Sequence, residues 1–238
     1  MDREQRANRS VSARDTGRLA VGAALVVAAL ASVQAVEGAQ PGVSTRPKSR
    51  DTVMEMLLEK TLFKVDILRL EVRLTGRDAE RIAVFVTEGE SQASQDSIAA
   101  VAIDAQHALI DTEFIRSLSL DQFVGGARDD LDAVQKAGIV SEETYQRLVE
   151  GLPNWFGFLS DTVWVDGEPA ERRIQKGDSL QYRIDGDTIQ TRYSSADGTT
   201  LMQRTDVDPE TRRAILGTYF VQGSQFRKKL IRSLFKDE

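Results

Sequence analysis

Between Leu62 and Leu74 apolar and polar residues alternate, and partway along the alternation changes phase. Phe63, Val65 and Ile67 take one parity, with Lys64 and Asp66 between them. Leu68, Leu70, Val72 and Leu74 take the other, separated by Arg69, Glu71 and Arg73. A period of two describes a strand with one buried face. An amphipathic helix would need apolar spacings of three and four, which this run lacks. A slip of one residue would turn half of the strand over. A bulge near Ile67 and Leu68 lets both halves face the same core. The run therefore predicts a long, bent strand at the centre of a sheet.

The 238 residues suffice for one large domain, or a medium domain behind a leader. The leader is visible. Residues 1–18 are polar and carry five arginines, Leu19 to Ala31 is an uncharged, alanine-rich run, and Ser32-Val33-Gln34-Ala35 offers the small residues that signal peptidase cuts after. That order is a secretory signal peptide, residues 1–35, with cleavage expected after Ala35 or, alternatively, Ala39. The run is short for a membrane span, so no stable span is expected after cleavage. An uncleaved N-terminal anchor is the competing reading. The expected location is periplasmic or secreted. Residues 36–50, with Gly38, Pro41, Gly42 and Pro47, read as a flexible linker, and the folded domain as residues 51–238.

Charge and composition exclude several classes. The net charge of -6 argues against nucleic acid as a partner. Without cysteine there are no disulfides, thiolate nucleophiles or zinc–cysteine sites, and a single histidine, His107, rules out a multi-histidine metal site within one chain. No cofactor is implied.

Further along, Gly76-Arg77-Asp78 reads as a turn and Ile82 to Val86 as a short apolar strand. Asp96 is placed to cap a helix reaching about His107, and Leu109 to Ser117 reads as a strand. Ser119 stands three residues before Gln122, the spacing of a capping box. The helix it opens carries an apolar stripe (Leu120, Phe123, Val124, Ala127, Leu131, Val134) and stops near Gly138. Gly125 and Gly126 inside it cost about 1 kcal/mol each relative to alanine, which predicts a close approach to the backbone by a strand or a ligand. Ser141 starts another helix that Pro153 ends. Leu180 to Ile184 and Ile189 to Tyr193 alternate around Asp185-Gly186-Asp187, and Asp197-Gly198 turns again, a hairpin signature. Asp208-Pro209-Glu210 opens a helix with a cap and a first-turn proline. Ser224 is expected to open a last helix with Phe226, Leu230, Ile231 and Leu234 inward and a basic, solvated face outward. The order of elements asks for an α+β domain.

Three stretches carry a resemblance. Phe63-Lys64-Val65-Asp66-Ile67, Lys176-Gly177-Asp178-Ser179-Leu180-Gln181-Tyr182, and Arg213 to Phe220 followed by Phe226 to Leu234 resemble, in order, the first long strand, a later strand and the closing helices of chalcone isomerase-like proteins. The likeness spans about residues 51–238 and would make the chain a bacterial, exported member. It implies an antiparallel sheet with helices packed on one face, an open-faced β-sandwich. Enzymes of that family use an arginine, two threonines, a tyrosine and an asparagine to close a chalcone. Matched position by position, no arginine stands near Leu58 to Lys60. Asp66 replaces the strand threonine, Gln122-Phe123 stands for Gln-Tyr, Asp130 replaces the asparagine, and Thr218 alone matches. Holding a phenolate and its developing charge needs a cation and hydroxyls; Phe123 has no hydroxyl, and Asp66 would repel an anion. The resemblance therefore implies a relative without isomerase activity.

Three functions remain open on these residues. One is a binding protein for a fatty acid or another apolar ligand, as in non-catalytic relatives, with Asp66, Gln122, Phe123, Asp130 and Thr218 lining a cleft between sheet and helices. Another is an isomerase- or lyase-type enzyme of unknown substrate, with Asp66 and Asp130 as an acid–base pair. The last is a cell-envelope accessory protein that meets a partner through Trp155, Phe156 and Phe158, unless those rings complete the core.

Overall fold

The computed structural model describes residues 51–60, 65–160, 162–165 and 167–236, without the side chains of residues 59, 60, 65, 66, 160, 163, 165 and 171. The leader, the linker, Phe63, Lys64 and the side chain of Asp66 lie outside the described residues. Six antiparallel strands form one sheet in the order β1 (Thr52–Lys60), β2 (Val65–Leu74), β3 (His107–Phe114), β6 (Ser179–Asp185), β7 (Thr188–Ser194) and β8 (Thr200–Val207). A separate hairpin joins β4 (Thr162–Val165) to β5 (Glu168–Glu171). The helices are α1 (Gly76–Thr87), α2 (Gln92–Ile103), α3 (Leu120–Lys136), α4 (Glu142–Trp155), α5 (Pro209–Phe220) and α6 (Arg227–Ser233).

One face of the sheet is apolar and covered. Its rows run Met56–Leu70–Thr112–Leu180–Tyr193 and Met54–Val72–Ile110–Tyr182–Thr191 across neighbouring strands, and every one of these side chains is buried. The opposite face carries Glu71, Asp111, Gln181 and Arg192 in one cross-strand row and stays open. This alternation is what a half-buried antiparallel sheet requires. Helix α5 packs between α2 and α3 and over β7, and from Thr211 to Phe220 all but Arg213 are buried. A helix enclosed on nearly all sides loses its polar stripe.

The phase slip has the predicted cause. Leu58 pairs with Leu68 and Glu59 with Asp66, so Ile67 is the extra residue of a bulge. Ile67 and Leu68 are consecutive and both buried, as a bulge permits. The strand is not central, however: β1, which the alternation did not single out, pairs along its outer side, and β3 and β6 occupy the middle.

Other expectations shift. Ile82 to Val86 belongs to helix α1, which Gly76-Arg77-Asp78 opens instead of turning. Ala79 and Ile82 are inward while Val84 is 56% exposed, a helical spacing that five residues are too few to reveal. Ser91, not Asp96, caps α2, accepting from the Ser94 N–H at 3.1 Å. That helix ends at Ile103, and His107 already belongs to β3. Strand β3 stops at Phe114, where Ile115 N–H turns to Ile67 O at 2.8 Å. Helix α4 continues two residues past Pro153. Ser224 lies before α6, donating to Thr218 O at 2.6 Å and accepting from Phe226 N–H. The basic face of α6 is engaged rather than merely solvated: Arg232 pairs with Glu90, Arg227 with Asp96, and Lys229 donates to Leu57 O at 3.0 Å on β1. The capping box of α3, the Ser141 cap, the Asp208 cap and the hairpin between β6 and β7 are as the spacing predicts.

Candidate functional site

The covered face of the sheet should be wholly apolar if its only task were to make a core. It is not. Thr112 on β3, Tyr182 on β6 and Thr191 on β7 occupy inward positions at 0–1% exposure. Tyr182 and Thr191 are direct cross-strand partners, and Thr112 lies diagonally across from Tyr182. From the helix layer, Tyr219 on α5 and Asp130 on α3 come down toward them, at 0% and 8% exposure. The Thr112, Thr191, Tyr182 and Tyr219 hydroxyls and Asp130 Oδ2 have no hydrogen-bond partner among the described residues. Buried polar atoms are normally paired, and each one left unpaired costs about 1–3 kcal/mol.

Electrostatics links Asp130, Tyr182 and Tyr219, with Thr112 beside Tyr219. Burial pushes the Asp130 carboxyl well above the usual carboxylate range, and neighbouring Asp129 adds to the rise. Burial likewise raises the Tyr182 phenol, with Tyr219 a further contributor. The Tyr219 phenol is raised chiefly by burial and secondarily by Asp130. The Thr112 side chain, within hydrogen-bonding reach of the phenol, opposes that rise. The Asp130 carboxyl and the Tyr182 and Tyr219 phenols therefore favour their neutral forms.

The residues expected at a cleft fall in different places. Asp130 joins the polar group. Phe123, two turns earlier on α3, is fully buried as an aromatic core residue: its ring meets Phe156 at 4.8 Å and Phe114 at 6.0 Å between centroids. Thr218 is buried, its hydroxyl spent on Ile215 O at 2.7 Å. Gln122 points outward and completes the cap of α3, its Oε1 accepting from Ser119 N–H at 3.1 Å. Asp66 pairs with Glu59 on β1 through the backbone register. The members that sequence reasoning missed are Thr112, Tyr182, Thr191 and Tyr219. Their signal was present: alternation assigns Tyr182 and Thr191 to the same face as Leu180 and Ile189, where a polar atom needs a reason.

The aromatic knot after α4 completes the core. Phe156 is fully buried, and Phe158 packs edge-on against Tyr193 at 5.2 Å. Trp155 is half-buried, with the Arg204 guanidinium 5.2 Å from its ring centre. It forms one wall of a surface groove of about 630 Å³ with Arg147, Glu143 and Glu150. Of the double glycine, Gly126 is buried, but no close approach exists at Gly125. Gly125 is exposed with open space where a side chain would be, whereas a Cβ on Gly151 would lie 1.9 Å from Trp155 Cζ2. On the open face, His107 Nδ1 lies 2.9 Å from Asp185 Oδ1, at the rim of a depression of about 450 Å³ that also holds Arg73 and Arg183. No helix among the described residues is long and apolar enough to cross a membrane.

The fold and the site together define an α+β protein with an open antiparallel sheet whose covered face encloses a neutral polar group. No family model matches the chain, and no curated protein matches it. Among solved structures it is similar to the crystal structure of a fatty-acid binding protein from Arabidopsis thaliana, at 15% identity and a TM-score of 0.43, over 84% of this chain and 95% of that one. At that distance the likeness carries no argument about ligand or mechanism.

Proposed function

We propose that this chain is an exported chalcone isomerase-like protein without isomerase activity that holds a fatty acid or other apolar ligand between its sheet and its helix layer. The observation that carries the reading is the group of five unpartnered polar side chains buried where the two layers meet. An interior that needs only to be stable would replace them with apolar residues of similar shape. A ligand with an apolar body and a polar end resolves the mismatch, because the surrounding Leu70, Leu180, Ile110 and Phe114 are wholly apolar. Loss of the isomerase chemistry follows from the residues: Phe123 has no hydroxyl to offer, and Asp130 sits where the family resemblance expects an amide. Since every member of the group is 8% exposed or less, ligand access requires the helix layer to part from the sheet.

The test is native mass spectrometry of protein purified from its own envelope fraction, followed by delipidation, refolding and re-exposure to the extracted lipid. A bound species of lipid mass that returns on re-exposure supports the reading. Protein that carries nothing and recaptures nothing overturns it. Intact mass of the same sample checks export, with the chain expected to begin after Ala35.

A further inference from the structure

We infer that the depression of about 450 Å³ on the open face of the sheet takes a small hydroxyl-bearing phosphate ester, such as a sugar phosphate, with Arg73 and Arg183 on either side of the phosphate. The register fixes the two arginines. Leu109 on β3 has Arg73 as its partner on β2 and Arg183 as its partner on β6. They therefore stand two strand spacings apart, roughly 9–10 Å between Cα atoms, and all three residues line the same hollow. A guanidinium is a rigid fork of donors that matches phosphate oxygens. Arg183 is exposed and has no hydrogen-bond or ion-pair partner among the described residues. Arg73 gives Nη2 to Glu71 at 2.8 Å, but its Nε is buried and unpaired. Thr75, at the N-cap of α1, makes no side-chain cap bond, so its hydroxyl is a third donor on the same rim. The carboxylates close by each hold a donor already: Glu71 has Arg73, Asp111 accepts from Gln181 Nε2 at 2.6 Å, and Asp185 Oδ1 lies 2.9 Å from His107 Nδ1.

Those contacts leave acceptors beside the cations. With its Nδ1–H on Asp185, a neutral His107 keeps Nε2 as an acceptor, and Gln181 Oε1 is also unspent. Donors for an anion next to acceptors for hydroxyls define a ligand that carries both. The net charge of -6 repels a polyanion, whereas a small anion responds to the charges within about 10 Å of it.

The experiment titrates the purified protein with three probes by calorimetry: glucose 6-phosphate, inorganic phosphate and glucose. Glucose 6-phosphate is expected to bind at least about tenfold tighter than either of the others, and Arg183→Gln and Arg73→Gln are each expected to weaken it about tenfold. Arg183 is exposed and unpartnered, so thermal melting should show its variant folded. Arg69→Gln removes the same charge from the same face outside the depression, where Arg69 pairs with Glu113 at 2.7 Å, and should leave the Kd unchanged. Equal weakening by Arg69→Gln means a diffuse surface charge and overturns the inference. Inorganic phosphate binding as tightly as glucose 6-phosphate overturns the hydroxyl-bearing ester as the ligand. A Kd for glucose 6-phosphate weaker than about 1 mM overturns the site. None of these results bears on the apolar ligand, which belongs to the opposite face of the sheet.

Discussion

Replacing Asp178 by alanine should destabilise the fold by about 3–5 kcal/mol, and the structure shows where that figure comes from. Asp178 is 1% exposed. Its carboxylate accepts from the Tyr193 hydroxyl at 2.7 Å, from Gln175 N–H at 2.9 Å and from Ala196 N–H at 3.1 Å. It therefore ties the approach to β6, the inner face of β7 and the turn after β7 to one point. The backbone around it is equally committed. Phe114 N–H donates to Asp178 O at 2.9 Å, and Gly177 N–H donates to Phe114 O at 2.7 Å. Gly177 sits at φ +88, and a Cβ there would lie 2.9 Å from Ala196 Cβ, so only glycine fits and the pair Gly177-Asp178 works as a unit. Hydrogen bonds to a charged group are worth about 1.5–3 kcal/mol each. The Tyr193 bond is fully buried and takes the upper part of that range. The two N–H groups are partly buried and regain some of their loss from water. Asp178→Asn keeps one accepting oxygen and should cost about half as much as alanine. Tyr193→Phe removes that one bond and keeps the ring contacts, for about 2–3 kcal/mol. Urea denaturation of the single and double variants gives the cycle, and the coupling between positions 178 and 193 should reach about 1–2 kcal/mol. An alanine variant that loses less than about 1 kcal/mol, or a cycle with no coupling, would refute the reasoning.

Asp130→Asn should stabilise the protein at neutral pH by about 1–3 kcal/mol and leave it unchanged in acid. The Asp130 carboxyl is raised above its ordinary value of 3.8 in the folded chain. The folded state therefore holds its proton more tightly than the unfolded state, and stability present below that ordinary value drains away as the pH rises through the folded one. Thermal melts across pH should thus diverge between the two proteins upward from about pH 4. Gly151→Ala should expel the Trp155 ring, which stands 1.9 Å from the new Cβ, lowering stability by about 1–3 kcal/mol and shifting tryptophan emission as the stack on Arg204 opens. Ser119→Ala should cost about 1 kcal/mol, because the Ser119 hydroxyl accepts from Gln122 N–H at 3.2 Å. Gln122→Ala should leave ligand binding untouched, a result that probe titration checks directly.

Features governed by neighbours in the chain were legible without a structure. The slip between Ile67 and Leu68 announced a bulge because a period of two admits no other way to keep Val72 and Leu74 inside. Ser119, Ser141 and Asp208 announced helix starts because a cap is decided within four residues. Asp185-Gly186 announced a hairpin because the turn needs a residue at ease with positive φ, and Gly186 has φ +59. What depended on distant partners was not legible. Ile82 to Val86 could be strand or helix until packing against the core selected the face of Ala79 and Ile82. Sheet order placed β2 beside β1 and away from the centre, which no local pattern records. Gln122 looked like a cleft residue from its alignment, and its cap geometry turned it outward. Above all, Thr112, Tyr182, Thr191 and Tyr219 are spread over more than a hundred residues, and only the closure of the helix layer onto the sheet makes them neighbours. Periodicity reports which side of an element is inward; it holds no information about which inward groups will meet, because that follows from the sum of many weak contacts across the whole core.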